Sequence, residues 1–110
     1  MKPVIALLGA AALALALAGC GPARPMTESE FKGFCYQYPG SRHQGCETIG
    51  PCDEYTPVMS RQHASLQACV EDCNSVYEDQ YKRRGFTACQ GASENARDWC
   101  QRYCRSAYAK

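Results

Sequence analysis

Branched aliphatic side chains are scarce in this 110-residue sequence once its first segment is set aside. Five aliphatic side chains are too few to fill the core of one small domain, which excludes a conventional aliphatic core. Residues 21–110 instead contain eleven aromatic residues and eight cysteines, which must supply most of the buried contacts. The five Leu, Ile and Val residues in this range are Ile49, Val58, Leu66, Val70 and Val76.

The sequence also lacks an excess of charge of one sign. Of its 12 Lys and Arg residues one is Lys2, which leaves 11 basic against 11 acidic side chains in the rest of the chain. A near-neutral domain of this kind is not expected to bind nucleic acid. The charges are unevenly placed, because residues 47–79 hold seven acids and one base, whereas residues 82–110 hold seven bases and two acids. We favour two oppositely charged helices packed side by side over a basic face for an anionic partner such as lipid headgroups.

Motifs that would indicate an enzyme are missing as well. The sequence has no Cys-x-x-Cys redox pair, no Cys-x-x-Cys-His haem motif, no Gly-rich phosphate loop and no paired-carboxylate motif. The two histidines, His43 and His63, are isolated in the sequence, and each is expected to be a surface residue rather than a metal ligand or a general base. The sequence therefore predicts a protein without a catalytic site, a metal or another cofactor.

An apolar run over residues 3–18 follows the basic start Met1-Lys2. The run is shorter than the roughly 20 residues of a transmembrane helix, and it has the character of the hydrophobic region of a secretory signal. It ends in Leu17-Ala18-Gly19-Cys20, which resembles the lipobox of bacterial lipoproteins: an aliphatic residue, two small residues and a Cys. An ordinary signal peptide cleaved near Ala18 is the alternative.

The lipobox resemblance implies a signal peptide over residues 1–19 and a Cys20 that carries lipid, including palmitate, as the N-terminus of the mature protein. In that family an Asp after the Cys favours the inner membrane, whereas this chain has Gly21, which implies the outer membrane. Residues 20–26 then form a Pro-rich tether that reaches at most ~20 Å. The folded domain over residues 27–110 is expected to lie close to the membrane, facing the periplasm or the cell surface.

Helical periodicity predicts the first part of this domain. Residues Thr27 to Glu30 form a capping box, which predicts a short helix from about residue 28 to residue 38. Pro39-Gly40 should end that helix. The Gly- and Pro-rich residues 40–57 predict an irregular, crosslinked loop.

Two longer periodic segments follow, and no stretch alternates with period two for long enough to predict a strand. The first begins after Ser60 or Ser65, either of which could cap it, and should stop at Gly85. The second is expected to begin after Ser93 as its cap.

Each long segment carries a Cys-x-x-x-Cys motif, Cys69 with Cys73 and Cys100 with Cys104. Residues four apart on a helix share a face, so the two pairs can join neighbouring helices. An antiparallel hairpin requires the nested disulfides Cys69–Cys104 and Cys73–Cys100. The parallel pairing is disfavoured because the short connection would have to run back along the whole first helix. A tetrathiolate zinc site fits the spacing, but an even number of Cys in an exported domain predicts disulfides.

Twin Cys-x-x-x-Cys motifs on a helical hairpin resemble those of the small mitochondrial intermembrane-space chaperones and of plant α-hairpinin peptides. The resemblance rests on these four cysteines alone, and it differs in a longer gap that contains Cys89. It implies the geometry of a stapled hairpin and no activity.

The other four cysteines allow three connectivities. We favour Cys46 with Cys52, across the Thr-Ile-Gly-Pro turn, which leaves Cys35 to join the first helix to Cys89.

The sequence thus predicts an all-α, disulfide-rich domain with an antiparallel helical hairpin, a short N-terminal helix and an irregular crosslinked loop. We expect an outer-membrane lipoprotein that binds an envelope protein or peptidoglycan. A structural or stress-related envelope lipoprotein without a specific ligand is the alternative, and an envelope enzyme a more distant one. The surface expected to contact the partner lies on a loop with the residues Tyr36, Tyr38, Arg42, His43 and Tyr55. Packing of the thin core is the alternative role for the tyrosines of this contact loop.

Overall fold

The computed structural model describes residues 24–39, 45–84 and 89–108 of the chain. The predicted signal segment, Cys20 and the tether up to Ala23 lie outside the described residues, as do Arg42 and His43. The described residues form helices, turns and loops without a strand, which confirms the all-α prediction. Their helices are α1 (Glu28–Tyr36), α2 (Ile49–Asp53), α3 (Thr56–Ser60), α4 (Leu66–Arg84) and α5 (Gln90–Tyr108).

The capping box at the start of α1 is confirmed. The Thr27 hydroxyl accepts a hydrogen bond from the Glu30 backbone N–H at 3.1 Å, and the Glu30 carboxylate accepts one from the Thr27 N–H at 3.1 Å. α1 ends at Tyr36, two residues earlier than predicted, in a tighter turn in which the Gln37 N–H donates to the Phe34 carbonyl. Pro39 explains the early end, because the residue before a proline disfavours the helical conformation.

The region predicted to be an irregular loop over residues 40–57 contains all of α2 and the start of α3. Both helices have five residues and carry a proline, Pro51 or Pro57, in their first turn. Proline is tolerated there because the N–H groups of a first turn have no partner within the helix. Both cysteines of this region, Cys46 and Cys52, form disulfides, but the backbone is more regular than expected.

The long helices α4 and α5 run antiparallel, each with 19 residues and a length of about 28 Å. Ser65 rather than Ser60 caps α4, since its hydroxyl accepts a hydrogen bond from the Ala68 N–H at 3.1 Å. α5 begins at Gln90, so the prediction that Ser93 caps it is wrong. The carbonyl of Cys89 already accepts the Ala92 N–H at 3.1 Å, and Ser93 is buried within the helix.

The nested disulfides of the hairpin are confirmed. Cys69 is bonded to Cys104 and Cys73 to Cys100, with Cα–Cα distances of 5.6 and 5.9 Å. All four side chains are fully buried, and the Sγ atoms of Cys73 and Cys104 lie 3.5 Å apart. The two bridges therefore form one continuous sulfur layer between α4 and α5.

The predicted pairing of the other four cysteines is wrong. Cys35 is bonded to Cys52 and Cys46 to Cys89, whereas the sequence favoured Cys46–Cys52 and Cys35–Cys89. The physical reason is α2, which replaces the expected turn between Cys46 and Cys52 and packs against α1 and α5. Cys52 thereby meets Cys35 in the core, and Cys46 meets Cys89 just before α5.

The core is built from aromatic rings and sulfur, as the composition predicts. Phe31 and Tyr55 are fully buried with their ring centroids 6.4 Å apart, next to Val58, Ala96 and the disulfides of the hairpin. No large aliphatic residue other than Val58 is fully buried among the described residues. The domain thus depends on its crosslinks for much of its cohesion.

α1 lies antiparallel to α5. The Met26 N–H donates to the Ser106 hydroxyl at 2.9 Å near one end, and the Asn95 side chain donates to the Cys35 carbonyl at 3.2 Å near the other. Met26 also packs against the core. The chain enters the domain beside the C-terminal end of α5.

Candidate functional site

Tyr55 does not belong to an accessible contact surface, contrary to the prediction. Its side chain is fully buried, and its hydroxyl donates to Gln80 Oε1 at 3.4 Å. Burial raises the pKa of Tyr55 well above its usual range, since the charged phenolate is disfavoured away from water. Gln80 in turn donates to the Pro51 carbonyl at 3.0 Å and to Glu54 at 2.8 Å. Tyr55 is therefore a core residue that helps join the α2 region to α4.

Tyr36 has a structural role that the sequence does not reveal. Its hydroxyl donates to the carboxylate of Asp53, and its backbone carbonyl accepts a hydrogen bond from the Thr48 hydroxyl at 3.2 Å. The hydrogen bond to Asp53, assisted by burial, raises the pKa of Tyr36 to about 12. Tyr36 thus ties the end of α1 to α2.

The hydrogen bond from Tyr36 to Asp53 predicts that the domain becomes less stable at alkaline pH. An unfolded tyrosine titrates near 10, and the pKa of Tyr36 in the folded protein is about 12. Because folding raises the pKa, the stabilisation is fully present below pH ~10 and is lost as the pH rises through about 12. Over this pH interval, we expect the free energy of unfolding of Tyr36→Phe to fall less than that of the wild type. Urea unfolding at each pH measures this free energy.

The matched control is Tyr81→Phe, which changes a tyrosine that is 44% exposed. Its alkaline profile should follow that of the wild type. A Tyr36→Phe profile that also coincides with the wild type would contradict the assigned hydrogen bond.

His63 holds the chain between α3 and α4 in place. Its ring nitrogen Nε2 lies 2.7 Å from the Val58 carbonyl oxygen, and its ring meets that of Tyr108 edge to face at 5.7 Å. Its backbone N–H donates to the Tyr108 hydroxyl at 3.0 Å. The half-buried His63 therefore connects the start of the hairpin to the end of α5.

The ion pairs of α4 differ from the favoured expectation that the acids of α4 lie against the bases of α5. On α4, Asp72 pairs with Arg61 at 3.4 Å, and Asp79 pairs with Arg83 at 3.0 Å. Arg83 also reaches Glu54 at 2.6 Å, which joins α4 to the α2 region. On α5, the guanidinium of Arg97 lies 4.2 Å from the centre of the Tyr77 ring. These acids of α4 are thus neutralised by bases outside α5.

Three sulfur atoms of the hairpin satisfy the distance condition for a metal site. The Sγ atoms of Cys73, Cys100 and Cys104 all lie within 4.8 Å of one another. The thiolate is the form of Cys that binds metal, and each of these sulfurs is bonded in a disulfide. In its oxidised state the cluster is a structural staple.

A cavity of about 350 Å³ lies between the C-terminal end of α1 and the middle of α5. Of the predicted contact residues that the structure describes, Tyr38 lines this cavity. Asn95 and Trp99 project from α5, which places the cavity on the side of the hairpin covered by α1. Its lining residues are Phe34, Gln37, Tyr38, Pro39, Asn95, Asp98, Trp99 and Arg102.

One wall of the cavity is a stack of three planar groups. The rings of Phe34 and Trp99 are nearly parallel, with an interplanar angle of 6° and centroids 4.5 Å apart. The guanidinium of Arg102 lies 4.4 Å from the centre of the Trp99 ring. Such contacts each contribute about 0.5–1.5 kcal/mol. The wall is therefore rigid, although Phe34 remains 44% exposed.

This cavity could not be predicted from the sequence. Phe34 and Trp99 read as members of apolar helix faces, and they are far apart in the chain. Asp98 and Arg102 read as ordinary surface charges. The single Trp of the chain is flanked by Asp98 and followed about one turn later by Arg102, a pattern that an ordinary amphipathic helix also shows.

Among the described helices, none has an apolar stretch long enough to span a bilayer. Comparison of the chain with models of protein families, with curated proteins and with solved structures finds no match.

Proposed function

We propose that this protein is a lipoprotein anchored in the outer membrane through Cys20 and that its domain is a binding module of the cell envelope. One observation carries the anchoring: the eight cysteines after Cys20 pair with one another in four disulfides. Cys20 is therefore the odd cysteine of the sequence, at the position where Leu17-Ala18-Gly19-Cys20 resembles a lipobox. Four disulfides in a small domain are also typical of proteins outside the cytoplasm.

The attachment point supports the role of a binding module. Met26 is fixed beside Ser106 at the C-terminal end of α5, and few residues separate it from Cys20. The domain is then held within ~20 Å of the membrane by that end. The opposite end of the hairpin lies about 28 Å from this end. Such an arrangement presents a rigid, crosslinked surface to other components of the envelope, including envelope proteins and peptidoglycan.

Replacement of Cys20 tests the anchor. We expect Cys20→Ser to move the protein from the membrane fraction to the soluble fraction and to abolish labelling with radioactive palmitate. Cell fractionation on a density gradient, in a Gram-negative host, measures the distribution. The matched variant Gly21→Asp should keep the label and shift the protein towards the inner membrane. A Cys20→Ser protein that stays in the outer-membrane fraction would contradict the proposal.

The same strains test the binding module. Chemical crosslinking in intact cells followed by mass spectrometry should give a reproducible partner, protein or glycan, with the wild type and a weaker yield with Cys20→Ser. Reproducible absence of any crosslinked partner would favour a structural lipoprotein without a specific ligand.

A further inference from the structure

We propose that the cavity between α1 and α5 binds a neutral saccharide. The proposal rests on the function of an envelope binding module and assigns a ligand class to it. The cavity volume of about 350 Å³ falls near the lower end of the range for small-molecule sites, which is about 300–1,000 Å³. A site of this size suits a terminal sugar or a short segment of a glycan chain.

The aromatic wall supplies the apolar half of saccharide recognition. Sugar rings carry a face of C–H groups, which packs against aromatic rings, and an edge of hydroxyl groups. Phe34 is 44% exposed, whereas the core ring of Phe31 in the same helix is fully buried. Its stacking on Trp99 holds the Phe34 ring in a fixed orientation. A flat, fixed and partly exposed ring is the surface that a sugar face requires.

The polar lining supplies both donors and acceptors. Amide groups such as those of Gln37 and Asn95 carry both kinds of atom, carboxylates accept and guanidinium groups donate. The Asn95 amide is held in place by its hydrogen bond to the Cys35 carbonyl at 3.2 Å. Hydroxyl groups both donate and accept, so this mixed set matches a polyol better than a ligand with groups of one kind.

The charges of the lining also favour a neutral ligand. Asp98 and Arg102 are the two charged residues that line the cavity, one of each sign, so their formal charges cancel. Acid and base at this spacing on a helix lie close enough to form an ion pair. Arg102 lies instead over Trp99, and Asp98 is nearest to Arg97 at 3.9 Å. The polar heads of both residues are therefore accessible to a ligand, and no excess charge selects an anion or a cation.

Gly91 permits the close approach of Tyr38, on the far wall of the cavity, to α5. A Cβ atom at this position would lie 2.3 Å from the Tyr38 hydroxyl oxygen and 3.2 Å from the adjacent ring carbon. Glycine inside a helix costs ~1 kcal/mol relative to alanine. The close approach of Tyr38 accounts for a small residue at this position of α5. The Tyr38 ring therefore lies directly against α5 at this wall.

Trp99 is the only tryptophan of the chain, so intrinsic fluorescence reports directly on the cavity wall. The experiment titrates the full chain, in micelles of a detergent without a sugar headgroup, with the trimer of N-acetylglucosamine and with maltotriose. We expect a saturable change in emission with at least one of them, and saturation-transfer NMR should show contact of the sugar protons with aromatic residues. Loss of the polar contacts in Asp98→Ala or Gln37→Ala should raise the Kd about tenfold.

Two controls make the result specific. Arg105→Ala changes an exposed cation on α5 outside the cavity and should bind like the wild type. Asp98→Asn preserves the shape and should retain part of the affinity; circular dichroism verifies that each variant is folded. Binding that persists unchanged in Asp98→Ala and Gln37→Ala would overturn the location.

Absence of any saturable signal with folded wild-type protein would overturn the saccharide proposal. If crosslinking in cells then captures a protein partner and Phe34→Ala abolishes the capture, the binding module survives with a protein ligand in place of a glycan. A failure of the saccharide proposal is therefore distinguishable from a failure of the proposed function.

Discussion

Complete reduction of the four disulfides is expected to abolish the cooperative folding of the domain. Cys69–Cys104 closes a loop with a sequence separation of 35, which in the chain-entropy model contributes about 4 kcal/mol. The net stability of a small domain is ~5–15 kcal/mol, and this core has Val58 as its one fully buried branched aliphatic residue among those described. The remaining contacts therefore cannot offset the conformational entropy that the reduced chain regains.

The measurement requires access to buried sulfurs. All four cysteines of the hairpin are fully buried, so dithiothreitol alone should react slowly, through local opening. Reduction in guanidinium chloride, followed by removal of the denaturant in the presence of dithiothreitol, gives the reduced chain. Its far-ultraviolet circular dichroism should lack the helical signal of the oxidised protein. A cooperative thermal transition of the fully reduced chain would contradict the expectation.

Variants that lack one of the two hairpin disulfides separate the contributions of these bridges to stability. Replacing Cys69 and Cys104 by Ser leaves the loop between Cys73 and Cys100 closed, so it should destabilise the domain much less than full reduction. The paired variant of Cys73 and Cys100 leaves the larger loop closed and should behave similarly. If either double variant unfolds as completely as the reduced chain, packing in the sulfur layer rather than loop closure governs the stability.

The hairpin could be predicted from the sequence because the cysteine spacing that specifies it lies within short segments of the chain. The spacing of Cys69 and Cys73 on one helix, and of Cys100 and Cys104 on the other, places each pair of sulfurs on a single helix face. The nested pairing then follows from the antiparallel direction. The capping box at Thr27 is local in the same sense, and it also holds in the structure.

Features that depend on tertiary contacts could not be predicted. α2 has five residues, and an isolated helix of that length is unstable in water, so its packing against α1 and α5 has to create it. That packing brings Cys52 next to Cys35, and no local sequence pattern predicts it. The burial of Tyr55 could not be predicted for a related reason: a tyrosine in a Gly- and Pro-rich segment fits a contact surface and a thin core equally well. The cavity exists only because the fold brings Phe34 onto Trp99.

Truncation of Phe31 is expected to have one of the largest effects among single substitutions outside the cysteines. The ring is fully buried in the core beside Tyr55, and Phe→Ala at such sites costs about 3–5 kcal/mol. Among the described residues, Val58 is the one branched aliphatic side chain that is fully buried in this core. We expect Phe31→Ala to lower the midpoint of urea unfolding of the oxidised protein by a large fraction of its wild-type value.

The matched control is Phe34→Ala in the same helix. Phe34 is 44% exposed and stacks on Trp99, so its loss should cost about 0.5–1.5 kcal/mol. The two variants remove the same side chain three residues apart, and they differ in whether the ring faces the core or the cavity. Because Cys35–Cys52 ties α1 to α2 in both variants, the covalent attachment of α1 is also the same. Equal midpoints for the two variants would show that α1 is held by its disulfide alone and does not complete the core.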